Sequence, residues 1–204
     1  MSNQVKPEAF FDSLSLAHKL DNFLDGFRLE EIHLFSYFSS ILFLYKGNPV
    51  AEWSYKFTVN PEGYPFSNEI YEAINRHLQN GLFDTKGTFY TLTGRGTDEF
   101  NKFKGLSSFS KREECLNAAC TTSILVPYSQ TLRALLRDEE ISKVKELHNN
   151  SWLDQQAVYP KFDEISKAVG VPVQDLIIPA VTWINYINEQ EYLKINGKTC
   201  LTKI

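Results

Sequence analysis

Cysteine is scarce: the chain has three, Cys115, Cys120 and Cys200, and no two of them form a CxxC pair. An odd, unpaired set argues against a disulfide framework and reads as buried or free thiols in a reducing cytoplasm. Metal-ligand spacing is lacking as well, because His18, His33, His77 and His148 are scattered, and neither a metal nor another cofactor is expected. Positive charge is not in excess: 21 basic against 25 acidic residues leave a net -4, a balance that does not announce a nucleic-acid binder. No apolar run reaches the roughly 20 residues of a membrane span. The most apolar stretch, residues 32–45, holds His33, Ser36, Ser39 and Ser40 and is expected to be a buried core helix. Neither GxxxxGK[ST] nor GxGxxG occurs, so Gly94-Arg95-Gly96 is not a phosphate loop. The polar start of the chain offers no targeting segment.

What is present is apolar and aromatic mass. At 204 residues, 43% apolar and 14% aromatic, the chain can bury a sizeable core in one large domain or two small ones. Phe10, Phe11, Leu14, Leu16 and Leu20 predict a helix or two within residues 1–28, and residues 29–46 predict another, stopped by Gly47-Asn48-Pro49. Trp53, Tyr55 and Phe57 alternate with Ser54, Lys56 and Thr58, the period of a half-buried strand over residues 50–59. After the break at residues 60–63, Ser67 is placed to cap a helix with Ile70, Tyr71, Ile74 and Leu78 on its apolar face. Gly81 stands where a left-handed helix end belongs. Leu82-Phe83 and residues 88–93 then predict a hairpin around Lys86-Gly87. Thr93 is positioned to cap a final helix over residues 97–104, with Gly96 allowing close packing. From residue 106 onward the pattern is helical, with helices expected over 110–123, 129–136, 139–149, 162–169 and 175–192, and with a kink or late start at Pro179.

Charge is unevenly spread. Residues 1–75 carry 5 basic and 10 acidic side chains, residues 76–112 carry 7 and 3, and residues 113–204 carry 9 and 12. The positive block, Arg76, Lys86, Arg95, Lys102, Lys104, Lys111 and Arg112, can meet phosphates, with Lys86, Arg95, Lys102 and Lys104 the candidate contacts. Against base readout stand Glu69 and Glu72 at the start of the helix that would enter a groove, where recognition helices present Arg, Lys, Asn or Gln. No catalytic residues are assigned and no small-molecule substrate is expected. Glu113-Glu114, Glu139-Glu140 and Glu189/Glu191 read as solvated faces, and pairing Cys115 or Cys120 with His148 as nucleophile and base is disfavoured because the cysteines stand among small apolar residues. Asn149-Asn150-Ser151 is only a formal glycosylation acceptor. The helix over 176–192 is apolar around most of its circumference, which suits a core or a docked partner. Trp183 and Tyr186 are its candidate partner anchors.

The run PFSNEIYEAINRHLQNGLFD followed by FYTLTGRGTDEF resembles the winged-helix unit of small bacterial accessory proteins. WLDQQAVYPKFDEISKAVGV and DLIIPAVTWINYI are similar to the C-terminal half of the middle components of ABC-three-component defence systems, the Lamassu type among them. The resemblance covers roughly residues 30–190. It implies a cytoplasmic adaptor without catalytic residues that links an SMC- or Rad50-like ATPase to an effector, often a nuclease, in antiphage or anti-plasmid defence. The fold expected is α+β: a winged helix-turn-helix core with N-terminal helices over residues 1–106 and a helical C-terminal domain over 107–204. A DNA-binding winged-helix regulator or antitoxin is the alternative.

Overall fold

The computed structural model describes the backbone of residues 5–147, 151–170 and 175–200, and side chains up to residue 193 apart from residue 147. It is mostly helical, with two small two-stranded antiparallel sheets. Among the described residues no helix is long and apolar enough to cross a membrane.

The apolar run of residues 32–45 becomes the helix around which the rest is built. This helix, α2 (Leu29–Tyr45), is buried from Glu31 to Phe43 on every face. Such a helix needs neighbours all round, and it finds them in α1 (Pro7–Leu24), α5 (Ser110–Leu125) and α8 (Gln155–Ala168). Two of its serines bond within the helix: Ser39 Oγ donates to the Phe35 carbonyl at 2.7 Å and Ser40 Oγ to that of Tyr37 at 2.6 Å. At its start the Glu31 carboxylate accepts the Arg28 backbone N–H at 2.8 Å, covering one of the donors a helix end leaves open.

A short 3-10 turn, Val50–Trp53, leads into β1 (Thr58–Val59), which pairs with β2 (Pro65–Phe66). The strand expected over residues 50–59 is therefore corrected to its last two residues. The alternation itself is real, since Trp53, Tyr55 and Phe57 are buried while Lys56 is exposed. What is missing is a partner strand. The carbonyls of this segment are taken by Arg112, Lys6 and the Leu153 N–H instead. Alternating burial reports a face and does not by itself make a ladder.

Next come α3 (Asn68–Gln79), the hairpin of β3 (Phe83–Lys86) and β4 (Phe89–Leu92), and α4 (Gly94–Phe103). The hairpin does not stand alone. Phe27, between α1 and α2, exchanges two backbone hydrogen bonds of 2.8 Å with Tyr90, adding a one-residue third strand beside β4. The chain then continues through α5, α6 (Tyr128–Leu135), α7 (Glu139–Leu147), α8 and α9 (Ile177–Cys200). Pro179 is the third residue of α9, where its missing N–H costs nothing, so a late helix start is what the sequence obtains. Pro160 sits inside α8, which begins seven residues before the expected start because the Asp154 carboxylate accepts the Gln156 N–H at 3.0 Å.

The buried apolar residues form one cluster that runs from Ala9 to Ile184, with members on both sides of residue 106.

Candidate functional site

The helix–hairpin–helix unit is held at two glycines. Gly81 takes φ +64 just past α3, the left-handed conformation that ends the helix and turns the chain into β3. Its surroundings are open, so only backbone strain opposes a side chain there. Gly81→Val is expected to cost about 1–2 kcal/mol, read as a lower urea midpoint; an unchanged midpoint would contradict the assigned helix end. Thr93 caps α4 by accepting the Gly96 N–H at 3.0 Å, while its hydroxyl reaches the Gly81 and Leu82 carbonyls at 2.9 and 3.0 Å. Ser67 does stand at the N-cap of α3, but its side chain makes no capping bond. The hydroxyl donates to Glu69 at 2.9 Å instead, and the Ser67 N–H goes to His33 Nδ1 at 3.2 Å.

Four basic residues were expected to face phosphates. Lys86 on β3, Arg95 and Lys102 on α4, and Lys104 just beyond it are all exposed. Lys86 pairs with Asp25 at 3.4 Å and Lys102 with Glu99 at 2.7 Å. Arg112, counted in the same positive block, is not a surface residue: it is 3% exposed and bound to Asp12. The outward positions of α3 are Asn68, Tyr71, Arg76 and Gln79, with Glu69 tied to Lys6 at 3.2 Å.

The Asp12–Arg112 pair anchors a polar network in the core. Arg112 Nε donates to Asp12 Oδ1 at 2.9 Å and Nη2 to Oδ2, while Nη1 reaches the Trp53 carbonyl at 3.2 Å. The guanidinium lies 3.9 Å from the Trp53 ring centroid. Tyr55 donates to Asp12, and its hydroxyl lies 2.6 Å from Ser36 Oγ on α2. The network ties α1, α2, α5 and the 3-10 turn together. A sequence signal for it existed: Asp12 falls on the stripe of Ala9 and Leu16, and Arg112 on that of Cys115 and Leu116. A charge on an apolar stripe needs a buried partner.

Ser13 Oγ lies 2.8 Å from His77 Nε2, the spacing of a nucleophile and base. Both residues are fully buried, Ser13 Oγ is also 2.8 Å from the Ala9 carbonyl, and the His77 ring packs against Phe10 and Phe83. Burial pushes His77 down to about 3, so the ring is neutral and acts as core. Cys115 and Cys120 are buried, and burial pushes both thiols up to about 12, far from thiolate chemistry. His148 lies outside the described residues, as do Asn149 and Asn150.

Trp183 is corrected from anchor to core: it is 3% exposed, with its ring 5.5 Å from Phe162 and 5.8 Å from Tyr186. Tyr186 keeps part of its surface. Beside this pair Asp138 caps α7, accepting the Glu140 N–H at 3.0 Å, and burial pushes its carboxyl up to about 6. A carboxyl raised in the folded state holds its proton longer there, so its contribution to stability declines as pH rises from the unfolded value towards 6. Relative to wild type, Asp138→Asn is expected to gain about 2 kcal/mol between about pH 4.5 and about pH 6.5 in paired urea titrations. A constant difference across that range would contradict the raised carboxyl.

Among the described residues no group of three or more His, Cys, Asp or Glu could hold a metal ion. Comparison with family models, with curated proteins and with solved structures returned no match.

Proposed function

We propose that the chain is a non-catalytic adaptor of winged-helix type that acts in the cytoplasm and joins an SMC- or Rad50-like ATPase to an effector. The winged-helix reading is supported by element order. Helix α1, the strand residue Phe27, helices α2 and α3, and the β3–β4 hairpin follow one another, with residues 46–66 as an insertion between α2 and α3. In this reading the first strand of the wing sheet is Phe27 and not the aromatic segment after α2.

The observation that carries the adaptor reading is the chemistry of the outward side chains. Tyr71 on α3 is 49% exposed, Phe89 on β4 is 41% exposed, and Phe23 near the end of α1 is 50% exposed. Exposed large apolar side chains suit a protein partner better than a phosphate backbone. The test is affinity purification of the tagged protein from its native host with nuclease treatment, read by mass spectrometry. Stoichiometric recovery of a large ATPase is expected, with the effector beside it.

A second reading, a duplex-DNA regulator or antitoxin, is favoured by the exposure of Lys86, Arg95, Lys102 and Lys104. Under it the purified chain binds duplex DNA, and replacing Arg95 and Lys104 by glutamine lowers the slope of log affinity against log salt by about two. Recovery of the protein alone, on DNA that nuclease releases, would replace the adaptor by this regulator.

A further inference from the structure

Independently of that reading, we propose that the cleft between the 3-10 turn and the start of α8 takes an extended, acidic segment of another protein as an added strand. The cleft, about 510 Å³ in volume, is walled by Ser54, Tyr55 and Lys56 on one side and by Trp152, Leu153 and the first turn of α8 on the other. Clefts of about 300–1,000 Å³ are the usual size of binding sites.

The main chain of the first wall is open for pairing. Buried Tyr55 and Phe57 alternate with exposed Lys56, the period of an extended strand. The Tyr55 ring packs against Trp53 and Phe57, with centroids 5.8 and 5.4 Å away, and its hydroxyl donates to Asp12. The side chain therefore points into the core, and what Tyr55 turns to the cleft is backbone. Among the described residues no hydrogen bond reaches the N–H or the carbonyl of Tyr55 or Lys56. Phe57 closes one end of the cleft, where its carbonyl accepts the Leu153 N–H at 2.7 Å. Ser54 sets the direction at the other end. It takes φ +73, a conformation that costs a residue with a side chain, and Lys6 Nζ holds it by donating to its carbonyl at 2.5 Å. An unpaired strand edge is a template for an incoming strand. A helix cannot use it, because its own backbone donors and acceptors are spent within the helix.

Charge and an aromatic face name the occupant. Lys56 is the one cation among the described cleft residues, and it makes no ion pair among them. Its Nζ lies 5.7 Å from the Trp152 ring centroid, a contact that leaves the ammonium hydrogens free for a carboxylate. Asp154 is the one carboxylate in these walls. It accepts the Gln156 N–H at 3.0 Å at the N-terminus of α8, where the helix dipole offsets its charge. Trp152 is 55% exposed, and tryptophan is the side chain that most often anchors a partner. The complement is an Asp or Glu set against Lys56 and an apolar side chain set against Trp152, on a chain extended enough to bond to Tyr55 and Lys56.

The test pans a phage-displayed library of random octapeptides on the full chain. Enriched peptides are resynthesised as N-acetyl, C-terminal amides, and their affinity is measured by fluorescence anisotropy. A family that carries an Asp or Glu near an aromatic or aliphatic residue is expected, with saturable binding. Lys56→Glu and Trp152→Ala, both at exposed positions, should each weaken binding by about tenfold while circular dichroism stays unchanged. N-methylation of peptide amides should abolish binding at alternate positions and spare it at those between, the pattern of one paired strand edge. No enriched family, hits without a carboxylate, wild-type affinity in Lys56→Glu, or equal tolerance of N-methyl groups at every position would overturn the proposal. Hexanoate binding as tightly as the peptides would overturn it in favour of a small acid.

Discussion

Replacing Arg112 by leucine is expected to lower stability by about 3–5 kcal/mol, because it leaves the Asp12 carboxylate in the core without its cation. Asp12 is fully buried, and the charge-assisted bonds it receives from Arg112 span α1 and α5. The Tyr55 hydroxyl remains as a neutral donor and cannot compensate a full charge. The loss also removes the guanidinium from the Trp53 face and from the Trp53 carbonyl. Urea unfolding followed by tryptophan fluorescence reads the effect. The double variant Asp12→Leu with Arg112→Leu separates the pair from its desolvation cost. It is expected to recover a large part of the loss, since no charge is left unpaired. Equal destabilisation of the single and double variants would show instead that packing around the long Arg112 side chain dominates.

Gly96→Val is expected to cost about 3 kcal/mol, with the damage confined at first to the hairpin. A Cβ at residue 96 would lie 2.4 Å from the Leu82 carbonyl oxygen and 2.6 Å from Leu92 Cδ1. The Leu92 side chain can rotate away. The Leu82 oxygen cannot, because it accepts both the Thr93 N–H and the Thr93 hydroxyl. The substitution therefore forces α4 off the β3–β4 junction. Hydrogen exchange should show faster amides at residues 90–97 before the global midpoint falls. Unchanged exchange there, with unchanged stability, would mean that the close approach of α4 does not hold the hairpin.

Much of the order of elements was legible in the residues, and the reasons differ by element. The apolar period located α3, whereas the length of an unbroken apolar stretch located α2 and α9. The hairpin was legible from Lys86-Gly87, and the junction to α4 from Thr93 and Gly96, where backbone chemistry is local. The strand over residues 50–59 was over-read, because a ladder depends on who lies alongside, and the carbonyls there met Arg112, Lys6 and Leu153. Phe27 carries no sequence signal for the converse reason: a single residue between two helices has no periodicity, yet it pairs with Tyr90.

The candidate sites were less legible. Exposure of Lys86, Arg95, Lys102 and Lys104 follows from charge alone. The burial of Arg112 required knowing that Asp12 faces it across the core, a separation of 100 residues. Trp183 could not be sorted between core and surface, because α9 is apolar on most sides and only packing against Phe162 decides. Asp138 is not distinguishable in the sequence, because one carboxylate beside Glu139 and Glu140 looks like any solvated helix start.

The central position of α2 governs how this chain can be cut. Its flanks are closed by α1 from the N-terminal half and by α5 and α8 from the C-terminal half, so neither half carries its own complete wall. A fragment that stops at residue 106 would display Phe35 and Tyr45, which pack on Tyr128 and Phe162, to water. A cut in the exposed stretch near that point should thus leave the two pieces associated. Any partner that separates the halves would have to unfold the core, whereas one that rides on the outer faces leaves it whole.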